Sequence, residues 1–430
     1  MDVQDCKYYE ARAKDVNLED ITSSEQNAAI LARLRDNDLT FTAISIEDGP
    51  QVESDFVVRE GDSMGWLGYF VGRSKQVETL SIYSFPDSLN IDAFLRGLGH
   101  NRSIQSLHIN IDLGENFQSL VPLLENDSNL SRLTFDNFIG LQCAHNIALM
   151  LGQQSTLKYL NFEETNLMDE MLVEIVAALS SQPQLEELDL GYNNIGRDGC
   201  VALGNVLQGL KNPNLTNLHL ENNAIDDEGL HALVSGLKNC HNLTSFHLHG
   251  NQLITEAGLR SLSALFQSDS CRLEHLDLDE LNIDDDGVSI LAAGLVSLST
   301  LKRLHISDNS IGDEGLQALL VGGLASLNLE ELHLSRNSFS PSGLRSLRNW
   351  VQSATRLNAL SVCNNNINDE GLHCLVEGIT NCCSLKTLGL SYNRLITSAG
   401  LRSLAPFFQS DNCCMKELSL WGYILVTMER

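Results

Sequence analysis

Basic residues are scarce in this chain. Its 430 residues include 28 Lys and Arg against 56 Asp and Glu, a formal charge of -28. A phosphate-binding surface needs clustered Lys and Arg, so nucleic acid drops out as a partner class. Anionic membrane surfaces drop out for the same reason. Long apolar runs are lacking as well. No stretch approaches the roughly 18 residues of a membrane span, and the N-terminal MDVQDCKYYEARAKDVNLED is charged throughout, unlike a secretory signal. Eleven cysteines, an odd number, show no small-domain disulfide framework. These absences predict a cytoplasmic protein, with the nucleus as an alternative. The N-x-S/T sites at Asn101, Asn126, Asn129, Asn214 and Asn242 then read as chance.

Enzyme signatures are missing too. There is no G-x-x-x-x-G-K-[ST], no G-x-G-x-x-G after a strand, no H-E-x-x-H and no G-x-S-x-G. The expectation is a non-catalytic protein with no cofactor. No nucleotide-binding module or F-box is expected ahead of the repeats described next.

What the chain does contain is one unit copied many times. Leu185–Ile195 reads L-E-E-L-D-L-G-Y-N-N-I. As a strand it turns Leu185, Leu188 and Leu190 inward and Glu187, Asp189 and Gly191 outward. Asn193 falls where the chain leaves the strand. Equivalent strands begin at Phe41, Val77, Ile104, Leu130, Leu157, Leu185, Leu215, Leu243, Leu273, Leu301, Leu329, Leu357, Leu385 and Met415, which makes about 14 units of 26–30 residues. A glycine (Gly199, Gly229, Gly287, Gly315, Gly343, Gly371) recurs about 14 residues past the strand start. An apolar ladder such as Leu230, Leu233 and Leu237 follows it, one face of a helix. Each unit is strand, turn, helix, turn. It cannot bury its apolar face alone and must stack on its neighbours. Acids ahead of the helices, such as Asp226-Asp227-Glu228 and Asp284-Asp285-Asp286, are expected as caps of free N–H groups, at roughly 0.3–1 kcal/mol each. Much of the negative charge is therefore structural.

Ahead of the regular units, residues 1–24 are polar and aperiodic, a tail or a short helical cap. Residues 25–36 carry Ile30, Leu31 and Leu34 at helical spacing. The segment from Glu47 to Asp62, with Gly49-Pro50 and several acids, is expected as a surface loop, and Gly65–Gly72 as a helix. Residues 25–430 are expected to form one solenoid.

The pattern L-x-x-L-x-L-x-x-N with a full helix and a 28–30 residue period resembles leucine-rich repeats of the ribonuclease-inhibitor-like class. The resemblance covers about residues 38–425. It implies an α/β horseshoe with a parallel β-sheet on the concave face and α-helices on the convex face. It also implies a ladder of Asn193, Asn223, Asn251, Asn309, Asn337, Asn365 and Asn393 satisfying backbone groups in the turns. Leu281, Thr165 and Phe138 depart from that pattern, as does every earlier unit, so the N-terminal third is less regular. The GTPase-activating proteins for Ran are similar arrays, but the likeness is general and carries over no catalytic residue.

A block duplication lies inside the array. Leu215–Leu278 aligns without gaps to Leu357–Leu420, with 34 identities in 64 positions. The leucines, Gly229/Gly371, Asn223/Asn365, Asn251/Asn393, Cys240/Cys382 and Cys271/Cys413 are kept. The outward strand positions are not: His219 aligns to Ser361, His247 to Gly389, His249 to Ser391, Asp277 to Ser419 and Asp279 to Trp421.

Those outward positions form columns, with neighbours about 4.8 Å apart. His108, His219, His247, His305 and His333 share the central column with Asp189 and Asp277. Glu221, His249 and Asp279 stand in the next. Three readings stay open for this patch: a metal site, a pH-sensitive binding surface, or an ordinary solvated strand face, which is the default. The function expected is non-catalytic binding of a partner protein, with a basic surface, on the acidic concave face. The contact residues would be Asp189, Tyr192, His219, Glu221, His247, His249, Asp277, Asp279, His305 and His333, with Trp421 as an aromatic anchor. The alternative is regulation of a small GTPase, as in the Ran-activating relatives. The C-terminal edge from Trp421 to Val426, W-G-Y-I-L-V, either caps the last unit or offers a second association surface.

Overall fold

A computed structural model describes residues 6–48, 55–59, 62–86, 91–111, 119–120, 123, 129–137, 139–153, 156–211, 213–325, 327–380, 382–410 and 413–422. Residues 1–5, Gly49-Pro50, Asn126, Phe138 and residues 423–426, for which the sequence raised expectations, lie outside them. The chain divides into two compact units, residues 1–194 with 213–215 and residues 195–212 with 216–430.

In the first unit the strands are β1 (Ala43–Glu47), β2 (Phe56–Val57), β3 (Thr79–Ile82), β4 (Ser106–Ile109), β5 (Arg132–Phe135), β6 (Tyr159–Asn161) and β7 (Glu187–Asp189). They form a parallel sheet in the order β2-β1-β3-β4-β5-β6-β7. The second unit continues with β8 (Asn217–His219), β9 (Ser245–His247), β10 (His275–Asp277), β11 (Arg303–His305), β12 (Glu331–His333), β13 (Ala359–Ser361), β14 (Thr387–Gly389) and β15 (Glu417–Ser419). Each pairs in parallel with its sequence neighbour, without a register slip: Leu218, Phe246, Leu276, Leu304, Leu332, Leu360, Leu388 and Leu418 stand side by side. A strand of three residues suffices because the leucine before it, the leucine within it and the leucine after it are all buried. In one repeat these are Leu273, Leu276 and Leu278, each 0% exposed.

The helices follow the expected places. Glu25–Arg35 and Met64–Arg73 match the predicted segments, and Asp227–Leu237, Glu256–Phe266 and Asp285–Leu295 bury the ladder that begins at their glycine. That glycine marks a close approach between repeats. A Cβ on Gly229 would lie 3.1 Å from the Arg197 Cα and 3.3 Å from the Cys200 Cβ, so the neighbouring repeat would have to shift by a few tenths of an ångström. Two details differ from a plain repeat. The helix Asp313–Gln317 widens into a π-helical turn over Ala318–Gly323. The Glu47–Asp62 segment is not simply a surface loop: Phe56, 2% exposed, and Val57 pair with Ile46 and Glu47 as the edge strand of the first sheet. Two residues are too few for a period to reveal, and it is their tertiary pairing that makes them a strand.

The asparagine ladder is present and explains the turns. Asn251 is fully buried. Its amide donates to the Leu220 and Leu248 carbonyls at 2.8 Å each, and its Oδ1 accepts from the Ile225 N–H at 3.2 Å. Asn309 and Asn337 repeat this geometry, while Asn365 and Asn393 keep the donor bonds but accept from the N–H of the preceding ladder residue, Asn337 and Asn365 respectively. At the two described departures the ladder adapts. Thr165 donates its hydroxyl to the Phe162 carbonyl at 2.8 Å, and Asn309 accepts from both Leu281 N–H and Ile283 N–H across the gap left by Leu281. Just past most strands one residue turns left-handed, among them Tyr192 (φ 55°), Asn222 (49°), Asp308 (54°), Arg336 (49°) and Tyr392 (61°).

The acids before the helices have two jobs. Asp226, Asp284 and Asn368 cap their own helices, each accepting from the glycine N–H three residues on at 2.9 Å. The next acid reaches across to the following repeat. Asp227 accepts from the Thr255 N–H, the Gly258 N–H and the Thr255 hydroxyl. Asp313 does the same with Ser340 and Ser342, and Asp369 with Thr397. Spacing along one helix shows the cap; the bridge to the next helix exists only once the repeats stack.

Candidate functional site

The buried leucines fix the direction of every strand residue beside them. In the second unit, alternation therefore sends one residue before and one after each central leucine to the open face of the sheet. From β8 to β12 that face carries a continuous row of imidazole rings. His219 stacks on His247 (centroids 4.4 Å, 15° between planes), and His247 meets His275 edge-on at 4.6 Å. His275 meets His305 at 5.0 Å, and His305 stacks on His333 at 4.2 Å and 16°. His275 was not among the expected residues. It stands two residues before Asp277, on the same face, and its ring reaches those of His247 and His305. Its position in the neighbouring column was readable from the sequence, but its lean into the row was not.

Carboxylates are set among the rings. His219 Nδ1 lies 3.6 Å from Glu221 Oε1. Asp277 Oδ2 is approached by His249 Nδ1 at 3.2 Å and by His247 Nδ1 at 3.7 Å, and Asp277 Oδ1 accepts from the Asp279 N–H at 3.1 Å. Asp279 Oδ1 in turn accepts from the Ser307 N–H. Asn222 and His249 bond side chain to side chain at 2.9 Å, as do Ser245 and His247. Asp277 and Glu221 are each only 8% exposed.

Burial and neighbours divide the titrating groups. Burial would raise the Asp277 carboxyl, but the bonds from His247 and His249 hold it far below the usual carboxylate range. Glu221 is also lowered, since attraction from His219 outweighs its burial. Asp279 goes the other way: burial, then the adjacent Asp277 charge, push it up to about 7. Burial and the neighbouring rings push His275 down to about 3, and burial lowers His305 and His333 as well. The bond to Asp277 raises His249. The surroundings thus favour the neutral ring at His275, His305 and His333 and the charged form of Asp277 and Glu221.

The second unit brings together His219, Glu221, His247, His249, Asp277, Asp279, His305 and His333. Trp421, 74% exposed, follows β15, five strands from Asp277, or ~24 Å at the strand spacing. Beside it Tyr392, 50% exposed and also not foreseen, donates its N–H to the Trp421 carbonyl at 2.8 Å. Asp189 and Tyr192 belong to the first unit. Asp189 is 8% exposed, accepting from Asn161 at 3.1 Å and from the Gly191 N–H at 3.0 Å, whereas Tyr192 is 44% exposed on its left-handed turn. His108, from the same expected column, pairs with Asp136 in the first unit. Among the described residues, two triads hold ligand-type atoms within 4.8 Å of one another: Asp277, Asp279 and His305, and His305, Glu331 and His333. Among the described residues no helix is long and apolar enough to cross a membrane.

A family model described as leucine-rich repeat matches residues 182–204, 211–234, 239–263, 297–320, 325–347 and 381–405. Among curated proteins, NACHT, LRR and PYD domains-containing protein 4C of Mus musculus is 37% identical over 103 residues, which are 23% of this chain and 10% of that protein. Protein 4E of the same name and organism is 35% identical over 103 residues, with the same shares. The chain spans about a tenth of the length of these relatives. Among solved structures, an internalin from Listeria monocytogenes aligns with 94% of this chain and 98% of its own at 18% identity and a TM-score of 0.45. A chain of the yeast Rad7 and Elc1 complex aligns over 83% and 77% at 16% identity, also with a TM-score of 0.45.

Proposed function

The chain belongs to the leucine-rich-repeat family, whose members are generally non-enzymatic protein-interaction scaffolds, and on that premise we propose that it binds a basic partner protein on the open strand face of β8–β12. The observation that carries this reading is the stacked row of His219, His247, His275, His305 and His333 with Asp277 and Glu221 held inside it. Side chains already locked by stacking and ion pairing lose little entropy when a partner docks. The anionic centre would favour Lys or Arg from that partner. The 28–30 residue period with a full helix supports placing the array in the ribonuclease-inhibitor-like class. A cytoplasmic or nuclear setting suits a chain of eleven cysteines with no small-domain disulfide framework.

The test is a pull-down from native cell extract, eluted by stepped salt. Wild-type protein is compared with a variant carrying His247→Ala, Asp277→Ala and Asp279→Ala, after matched thermal melts show both folded. A basic protein retained by wild type, released at moderate salt and lost with the variant is the expected result. Equal retention by both baits sinks this face and points to the aromatic pair Tyr392 and Trp421. Stimulated GTP hydrolysis by a captured GTPase would favour the regulatory alternative.

A further inference from the structure

We propose that Asp277, Asp279 and His305 form a binding site for a divalent transition-metal ion of the zinc class. The site goes beyond the partner-binding reading and does not depend on it. Three donors from two adjacent strands converge there. Asp277 ends its strand, Asp279 follows two residues on past the buried Leu278, and His305 stands directly beside Asp277 in the paired register. Their ligand atoms all lie within 4.8 Å of one another. Zinc bonds of ~2.0–2.2 Å place ligand atoms roughly 3.3 Å apart, so small side-chain rotations close the set.

Two further observations point to a cation. His305 Nε2 is buried and makes no hydrogen bond, and the same holds for His275 Nε2 and Glu221 Oε2 on the same face. Two carboxylates are also packed side by side, and among the described residues their bonds come from imidazoles and backbone N–H groups, not from Lys or Arg. A divalent ion would bind the paired carboxylates and one imidazole nitrogen of His305 at once. The supporting shell is in place as well. His249 bonds Asp277 at 3.2 Å, the Ser307 N–H bonds Asp279, and the His305 ring is clamped between His275 and His333.

The ligand chemistry selects the metal. An imidazole with two carboxylates suits zinc and its first-row neighbours, whereas calcium takes six to eight oxygens. The adjoining triad of His305, Glu331 and His333 is the weaker arrangement. Its two rings lie stacked at 16°, so their nitrogens project nearly parallel and do not converge on one point. With three protein ligands on an open sheet face, the remaining coordination positions face outward, toward water or a partner's side chain.

The experiment is calorimetric titration of the tag-free full chain with ZnCl₂, repeated with Co²⁺ to read its visible absorption band. Wild type is expected to take one equivalent of Zn²⁺. Asp279→Asn and His305→Gln should each weaken binding ~10–100-fold, while Glu331→Gln stays within about twofold. Metal-free melts establish that each variant folds, and the half-buried Asp279→Asn carries the test if His305→Gln does not. No saturable binding by wild type up to ~100 μM Zn²⁺ overturns the proposal. So does wild-type affinity in Asp279→Asn. Loss in Glu331→Gln with Asp279→Asn intact overturns it too, by moving the ion to the neighbouring triad.

Discussion

Residues 217–278 and their copy at 359–420 keep the same strands and turns and present different faces, although the helix Glu256–Phe266 is matched by two short ones, Ser398–Arg402 and Ala405–Phe408. Asn251 and Asn393 make the same bonds, to Leu220 and Leu248 in one and to Val362 and Leu390 in the other, at 2.8–3.0 Å. Asp227 and Asp369 each accept from a Thr N–H (2.8 and 2.7 Å) and from its hydroxyl (2.5 and 2.6 Å) in the next repeat. Cys240 and Cys382 are both buried. On the open face, by contrast, His219, His247, Asp277 and Asp279 confront Ser361, Gly389, Ser419 and Trp421. Asn251/Asn393, Cys240/Cys382 and Asp227/Asp369, which bond to backbone or fill the core, were kept, while these open-face positions changed. In a solenoid the stacking is carried by side chains on one side of the strand, so the other side is free to carry chemistry.

That contrast can be broken at its strongest point first. Asn251→Ala and Asn393→Ala should each destabilise by about 2–4 kcal/mol, because buried carbonyls lose their donor. Urea unfolding of both variants checks this, and a cost in only one copy would refute their equivalence. The bridging acids come next. Asp369→Ala should cost about 1 kcal/mol, a typical cap-sized loss. The Asp369 carboxyl is lowered below its ordinary 3.8, since bonds from Thr397 and Gly400 outweigh its slight burial. A lowered carboxyl stabilises the fold above its unfolded value, and that contribution is lost as the pH falls through the lowered folded value. Wild type should therefore lose more stability than Asp369→Asn on acidification below 3.8, read as the difference in urea midpoints.

Grafting the copy's face onto the original sharpens the comparison from the other side. His219→Ser, His247→Gly and Asp277→Ser together should change stability by no more than about 1 kcal/mol while abolishing retention of the partner. A collapse in melting temperature would show that the face also holds the fold. The smallest effect concerns Cys240, whose burial pushes its thiol up to about 12. A chromogenic disulfide reagent at pH 8 should leave it untouched in the native protein and label the exposed Cys383 and Cys414.

Most of the architecture was legible because it repeats. A leucine before, within and after each strand, a glycine where helices meet and an asparagine in the turn each recur often enough to show one strand register and one helix face. Phe56 and Val57 were missed because a two-residue strand has no period and exists only through its pairing with Ile46 and Glu47. The Asp313 bridge was missed because a helix-capping acid and a repeat-bridging acid look alike in sequence. Of the site, the residues pointing outward were legible from alternation, but not their grouping.

The sequence alone determined the repeat, its register and the list of side chains on the open face, since each follows from local periodicity and the need to bury leucine. Tertiary structure alone decided which of those side chains meet. It tilted His275 into the row, gave Asp277 two imidazole partners, left Asp279 beside a second carboxylate and put Asp189 and Tyr192 in the other unit. The physical reason is that burial constrains one face of a strand to a pattern, while contacts on the open face depend on ring orientation and charge across neighbouring strands, which no period encodes.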